Sequence, residues 1–305
     1  MSTTASTVRP SHEPHLASKS DLPLALAFIA PAAIGLIVFL IRPLIMGIYY
    51  SFTDYNVLTP PRWAGLANYT AMFADDRFWN SLGVTIEYVV INIGAQTILA
   101  VLIAALMHRL TRSTWVRSLV LTPYLVSNVV TALVFLWMLD TQLGIVNHVI
   151  TAMGGGAVGF WTTEGAVIPT VALVNVWRNM GYTALLIFAG LQGIPETLYE
   201  AGRTDGASET KMFFRITLPL LRPILALVLI MTIIGSFQVF DTVAVATAGG
   251  PADASNVLQM YIYQKAFGEF DFGYASALSV ALMIILVIIT AIQYKVTRAG
   301  ETDLD

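Results

Sequence analysis

Six stretches of this 305-residue chain are long and apolar enough, or nearly so, to cross a lipid bilayer. A run of about 20 apolar residues spans the hydrocarbon core as a helix. Backbone amides and carbonyls have no water to bond there, so each crossing has to be a helix and not an open strand. Stretches 22–41, 88–107, 119–139 and 274–294 carry no charge. Stretch 223–240 is slightly short but also uncharged, and 166–191 is interrupted once, by Arg178. The expected fold is therefore all-α: a polytopic membrane protein with six transmembrane helices over 21–298.

Composition agrees with lipid as the solvent. Charged residues make up 11% of the chain and its mean hydropathy is +0.72, whereas soluble domains carry about 25% charged residues. Sixteen scattered Lys and Arg, with a net charge of −3, supply no basic stripe for nucleic acid. With no cysteine, disulfides, thiolate metal sites and thiol catalysis are excluded. Residues 1–20, rich in Ser, Thr and Pro, read as a disordered tail, and 299–305 as a second short tail. The run from Leu22 to Ile41 exceeds a signal-peptide core and no small-residue cleavage site follows it, so it reads as a retained span.

Short loops that hold Lys and Arg face the cytoplasm. With both termini cytoplasmic, eleven basic residues fall inside and only Arg42, Arg62, Arg77 and Lys265 outside. That orientation puts the 192–222 segment in the cytoplasm and the 50–80 and 241–273 segments outside. Trp63, Tyr69, Phe73, Phe78 and Trp79 suggest a folded outer cap with an interfacial aromatic belt. Tyr261, Tyr263 and Phe267 suggest a short surface helix packing back after a turn at Gly249-Gly250-Pro251, and Gly154-Gly155-Gly156 is a flexible turn.

No catalytic constellation stands out. The spacing from Gly206 to Lys211 is wrong for a phosphate-binding loop, so the chain is not expected to hydrolyse ATP. His12, His15, His108 and His148 lack metal-ligand spacing, and no metal site is expected. Polar groups inside spans are the informative ones. Asn175, Arg178, Asn179 and Tyr182 share one helical face. Arg178 can pair with a carboxylate such as Glu87, can bond backbone carbonyls, or can line a translocation path. Phe237, Gln238 and Asp241 end the fifth span, with Gln238 and Asp241 again on one face. Ser276 and Ser279 in the sixth span suit helix packing, and Ser279 is also a path candidate.

The segment LYEAGRTDGASETKMFFRITLPLLRP, 198–223, is the long polar interruption. Pro195 suits a first helical position, and Glu196 and Glu200 suit the early turns. Ala201 and Gly202 would let a partner approach the backbone closely. Asp205-Gly206 breaks the helix, Ser208 can cap a second one through Arg215, and Pro219 would end it. From the residues alone, this is a solvated helix–turn–helix or a docking element.

Glu200-Ala201-Gly202, Gly206 after three residues, and Ile216-x-Leu218-Pro219 after nine more resemble the EAA signature of permease subunits of binding-protein-dependent ABC importers. The one departure is Gly202, where the family usually has alanine. The resemblance extends from Phe28-Ile29-Ala30-Pro31-Ala32 to Phe272-Gly273-Tyr274-Ala275-Ser276-Ala277, and it is nearest the sugar and glycerol-phosphate branch, on the side of the maltose-type larger permease. It implies three protein partners: a second six-span permease, a homodimeric cytoplasmic ATPase and an extracytoplasmic solute-binding protein. ATP and Mg would be used by the ATPase, and this chain would bind no cofactor itself. It further implies a bacterial or archaeal cell membrane, and a coupling element comprising Glu200, Ala201, Gly202, Asp205, Gly206, Ile216, Leu218 and Pro219. The solute would be a disaccharide, polyol or glycerol-phosphate type. A self-sufficient secondary transporter or channel is the alternative.

Overall fold

The structure, a computed structural model, describes residues 21–110 and 113–297. The expected tails, with Arg9, His12, His15, Lys19 and Arg298, lie outside the described residues, as does Arg112. The chain divides into two units, residues 1–49 and 50–305. The first holds α1 (Asp21–Leu36) and most of α2 (Arg42–Tyr50), joined through a wider π-turn at Ile37–Ile41. Its apolar run, Pro23–Tyr50, is long enough for one crossing.

The second unit opens with a minimal antiparallel hairpin, β1 (Thr53–Asp54) and β2 (Arg62–Trp63), with Thr53 opposite Trp63. Asn68 donates to the Ser51 and Thr53 carbonyls at 3.0 and 2.9 Å and ties the hairpin to α3 (Ala67–Phe73). Then comes α4 (Asp76–Leu110), whose 35 residues begin well before the expected second span. Phe78 and Trp79 therefore sit on its first turns, while Trp63 is on β2 and Tyr69 and Phe73 are on α3.

The third stretch is not one straight span. It is split into α5 (Thr114–Leu125) and α6 (Asn128–Met138), bent by 89°. Val126 and Ser127 are extended, with ψ of 137° and 144°. Hydropathy misses such a break because the residues at it are themselves uncharged; what stabilises it comes from another helix, described below.

After α7 (Ile145–Ala152) and the turn through Gly154, α8 (Glu164–Gln192) crosses the bundle centre. The polar segment folds as α9 (Glu196–Thr204), α10 (Glu209–Met212), a π-turn at Phe213–Thr217 and α11 (Leu218–Leu220). Next come α12 (Arg222–Phe237) and α13 (Asp241–Ala246), separated by a break at Gln238, Val239 and Phe240. The chain ends with α14 (Leu258–Tyr263), a π-turn at Gln264–Gly268 and α15 (Phe272–Thr297). Leu258 and Tyr261 are fully buried, so the short helix after Gly249-Gly250-Pro251 does pack back. Among the described residues five helices can cross a membrane, and six if α5 with α6 makes one crossing.

The α4–α8 pair organises the core. Ala100, Ala104 and Ala184 are wholly buried between these helices, α12 and α5. Small residues let helices approach closely where no hydrophobic gain separates lipid from protein. Gly181 is the extreme case: a Cβ there would collide with the Val120 carbonyl of α5. A second apolar cluster, around Tyr88, Ile168, Val171, Leu258, Tyr261 and Leu278, fills the end of the bundle away from α9.

Candidate functional site

The polar stripe expected on the fourth apolar stretch meets a cavity of about 280 Å³ in the middle of the bundle. Asn175, Arg178, Asn179 and Tyr182 all line it. Opposite them stand Gln238 and Asp241, so two separate sequence patterns converge on one space. Phe237 does not join them: its side chain is buried in the apolar core. Ser279 donates back to the Ala275 carbonyl at 2.8 Å and lines a different groove, of about 520 Å³. Gln238 borders both spaces.

Arg178 occupies the centre of α8. Its Nε donates to the Val126 carbonyl at 2.9 Å and its Nη2 to the Tyr124 carbonyl at 3.2 Å. Its Nη1 donates to Asn179 Oδ1 at 3.2 Å. The Tyr124 carbonyl belongs to the last turn of α5 and the Val126 carbonyl to the break that follows it. Of the partners open at the level of sequence, the backbone carbonyls are therefore realised, and among the described residues no ion pair joins Arg178 to Glu87. The guanidinium also lies over the Tyr124 ring, 5.2 Å from its centroid, and Tyr124 stacks on Tyr182 at 4.4 Å.

Several cavity residues were not visible in the sequence. Tyr124 and Asn128 reach it only because the chain turns between α5 and α6. Asn128 donates to the Asp241 carboxylate at 2.8 Å, so the first residue of α6 holds the first residue of α13. Thr242 donates to Asn175 Oδ1 at 3.1 Å. Deeper in the wall, Asn92 of α4 donates to Gln96 and to Ser236 of α12, and Gln96 donates to Thr183 of α8 at 2.8 Å. Such buried amides are costly unless bonded, and the three-helix network satisfies most of them. The signal that could have found them is the presence of Asn92 and Gln96, one turn apart, inside an otherwise apolar run. The polar part of the lining is carboxamides and hydroxyls with one guanidinium and one carboxylate, suited to exchanging hydrogen bonds with a polar solute, and Leu186, Val228, Met231, Val239 and Phe240 supply the apolar part.

At the α9 end of the bundle the signature residues divide into two sets. Glu200, Ala201 and Asp205 are exposed. Gly202 faces inward: a Cβ there would lie 3.1 Å from Met212 Sδ and 3.3 Å from Ile216 Cδ1. Its small size therefore serves packing of α9 on the next helical run. Tyr199 reinforces that packing through a 2.9 Å hydrogen bond with Thr217. Pro195 is the cap residue itself, one position earlier than expected. Gly206 turns the chain in the left-handed region with φ of 72°. The Ser208 side chain caps α10 by accepting from the Lys211 amide at 3.3 Å, as expected of a helix start. Leu218 and Pro219 do not end the second helix; they form α11, which continues directly from the π-turn. Pro219 thus lies inside a continuous helical run, where it has no amide to donate. Glu209 pairs with Arg109 and, at 3.6 Å, with Arg203, joining the end of α4 to the loop.

At the opposite end Asp75 accepts from the Tyr261 and Tyr274 hydroxyls and from the Arg77 amide. Burial pushes its pKa up, but these hydrogen bonds and nearby Lys265 outweigh it, and the carboxyl is held below its ordinary value. Burial together with the Asp75 carboxylate pushes the Tyr261 hydroxyl well up. Among the described residues no group of three or more His, Asp or Glu side chains could hold a metal ion. His108 packs edge-on to Phe188, and His148 bonds the Gly144 carbonyl.

A family model described as a binding-protein-dependent transport system inner membrane component matches residues 96–299. The chain is 33% identical over 284 residues to the sulfoquinovosyl glycerol transport system permease protein SmoG of Agrobacterium fabrum, covering 92% of both. It is 31% identical to the trehalose/maltose transport system permease protein MalF of Thermococcus litoralis, with 90% of this chain and 94% of that one covered. Among solved structures, a bacterial ABC transporter involved in import of the acidic polysaccharide alginate superposes with a TM-score of 0.82, over 92% of this chain and 96% of that one, at 22% identity.

Proposed function

The chain belongs to the family of binding-protein-dependent transport system inner membrane components and is a multi-pass permease of an ABC importer, and on that premise we propose how it divides its work. The solute is a sugar or related polar solute of disaccharide, polyol or glycerol-phosphate type. The observation that carries this reading is the polar cavity at mid-bundle, walled by the α8 stripe, by the bent α5–α6 span and by the span interrupted between α12 and α13. Asn175, Arg178, Tyr182, Gln238 and Asp241 line the path. Hydroxyl-rich solutes exchange hydrogen bonds well with carboxamides and hydroxyls, and such groups are otherwise expensive to place within a membrane.

In this reading both termini and α9 face the cytoplasm. The exposed side of α9, with Glu200, Ala201 and Asp205, docks on a homodimeric ATPase, which uses the ATP and Mg. Gly202, Ile216, Leu218 and Pro219 hold the loop rigid behind that face, and Glu209 links it to α4 through Arg109. A second permease completes the path, and an extracytoplasmic binding protein delivers the solute. Support comes from the family membership and from the split of the signature into exposed and packed residues.

The test is reconstitution of the complex in proteoliposomes with the Gly206→Val variant beside the unaltered chain. Gly206 has no neighbour within 4 Å of a Cβ, so the change meets nothing inside the chain. It does force a β-branched residue into left-handed backbone at the docking turn. Normal insertion with uptake lost is expected, as is an absence of ATPase activity from the chain alone. Normal uptake by the variant, or hydrolysis by the isolated chain, would overturn the reading.

A further inference from the structure

Resting on the path proposed above, we infer that Arg178 acts on transport as a positioning residue: it is the clamp that holds the third span bent, and it works through the wall of the cavity and not by taking up the solute. The argument begins with α5. A helix that stops inside a membrane leaves its last carbonyls without intrahelical partners, and no water of the lipid phase can replace them. Val126 adopts an extended ψ of 137°, so the chain cannot continue the ladder. The Pro123 carbonyl is recovered locally by the Val126 amide at 3.2 Å, and the Ser127 carbonyl by the Thr131 amide at 2.9 Å. The carbonyls of Tyr124 and Val126 are taken by Arg178.

A guanidinium suits that position for two reasons. The C-terminal end of a helix carries partial negative charge, which favours a cation beside it. The guanidinium's planar fork can also meet two carbonyls at once, whereas a lysine ammonium is a single point charge on a flexible stem. Each of the three guanidinium nitrogens donates to a protein oxygen, so three of its five N–H groups are engaged within the chain, the third with Asn179, which itself donates to the Asn175 carbonyl at 2.8 Å. One face of the group is covered as well, by the Tyr124 ring. Beyond the bend, Asn128 continues the connection to Asp241 and so to the second broken span. One helix-borne cation thereby fixes the corner from which Tyr124 and Asn128 reach the cavity.

The chain has no cysteine, so a spin-label pair can be introduced without background. Trp115 and Trp137 are exposed on α5 and α6. At 1.5 Å per residue, labels at Trp115→Cys and Trp137→Cys stand about 24 Å apart across a right-angled corner and about 33 Å apart along a straight helix. The unaltered chain in lipid nanodiscs is expected to give one narrow population near the shorter distance. Arg178→Lys and Arg178→Ala are both expected to broaden it toward the longer one, and to reduce uptake by the reconstituted complex at least about tenfold, as loss of charge-assisted hydrogen bonds implies. Asn179→Ala leaves both carbonyl bonds in place and is expected to keep the narrow distribution. Failure of Arg178→Lys to insert, with Asn179→Ala recovered normally, is the same result in stronger form. Near-normal uptake by Arg178→Lys, or a narrow short distance in Arg178→Ala, would overturn the inference. The distance is read on the chain alone, so it stands or falls independently of the importer reading.

Discussion

Replacing Gly181 with alanine adds one methyl group at the α5–α8 crossing, and the structure sets the scale of its effect. Besides colliding with the Val120 carbonyl oxygen, the new carbon would lie 2.8 Å from the carbonyl carbon and 3.2 Å from Val120 Cγ1. Ordinary carbon contacts lie at about 3.5–4.0 Å, so α5 has to retreat by about 1 Å. Its obstacle is backbone, which cannot rotate aside. Overpacking of this kind costs about 1–3 kcal/mol. The same retreat stretches the 2.9 Å bond from Arg178 to Val126 beyond hydrogen-bonding reach. Losing a bond to a charged group costs a further ~1.5–3 kcal/mol. The sum is about 2.5–6 kcal/mol, a large share of the stability of a typical domain. Gly83→Ala on α4 is the control, because nothing lies within 4 Å of that position. There the change should be neutral or stabilising by up to about 1 kcal/mol through helix propensity. Denaturant or thermal unfolding of the detergent-purified chain compares the two. Equal stability of Gly181→Ala and Gly83→Ala would refute the close-crossing argument.

Two further outcomes follow from the same geometry. Gly202→Ala should preserve uptake and fall within about 1 kcal/mol of the unaltered chain, since added helix propensity offsets crowding against the flexible ends of Met212 and Ile216. Gly202→Leu should prise α9 off its support and abolish uptake, with faster proteolysis of the loop; full uptake by the leucine variant would contradict the inward placement of Gly202. Asp75 has a folded pKa below its ordinary 3.8, so it contributes stability that is present above 3.8 and is lost as pH falls through the folded value. Thermal midpoints measured from pH 6 down to pH 2 should fall in that acid range for the unaltered chain. Asp75→Asn should start lower, by about 1–3 kcal/mol, and lack that component of the decline.

Five of the expected spans were legible because their physics is local: a run of apolar residues reports its solvent directly. So was the α8 stripe, since Asn175, Arg178, Asn179 and Tyr182 repeat at helical spacing and the structure sets all of them on one cavity. The corner at Val126-Ser127 was not legible. Its residues differ little from their apolar neighbours, and the groups that satisfy its carbonyls lie more than fifty positions away on Arg178. Tyr124 and Asn128 were missed for the same reason. Phe237, named beside Gln238 at the end of the fifth span, and Ser279, named as a polar residue within the sixth, do not reach the cavity: Phe237 ends α12 facing the core and Ser279 faces a separate groove. That Gly202 packs toward Met212 and Ile216 was not legible, because spacing on one helix does not reveal which neighbour it meets.

The central claim is that α9 is where this permease receives motion from an ATPase. Ala201 is exposed on α9, and the cysteine-free chain allows a single Ala201→Cys label with a short photoreactive cross-linker. In the assembled complex this label should couple to the ATPase subunit in high yield, with a yield that changes when ATP is bound. A label at Gln142, in the turn beyond α6, should not couple to it. An intact, transporting complex in which Ala201→Cys gives no adduct with the ATPase would contradict the account.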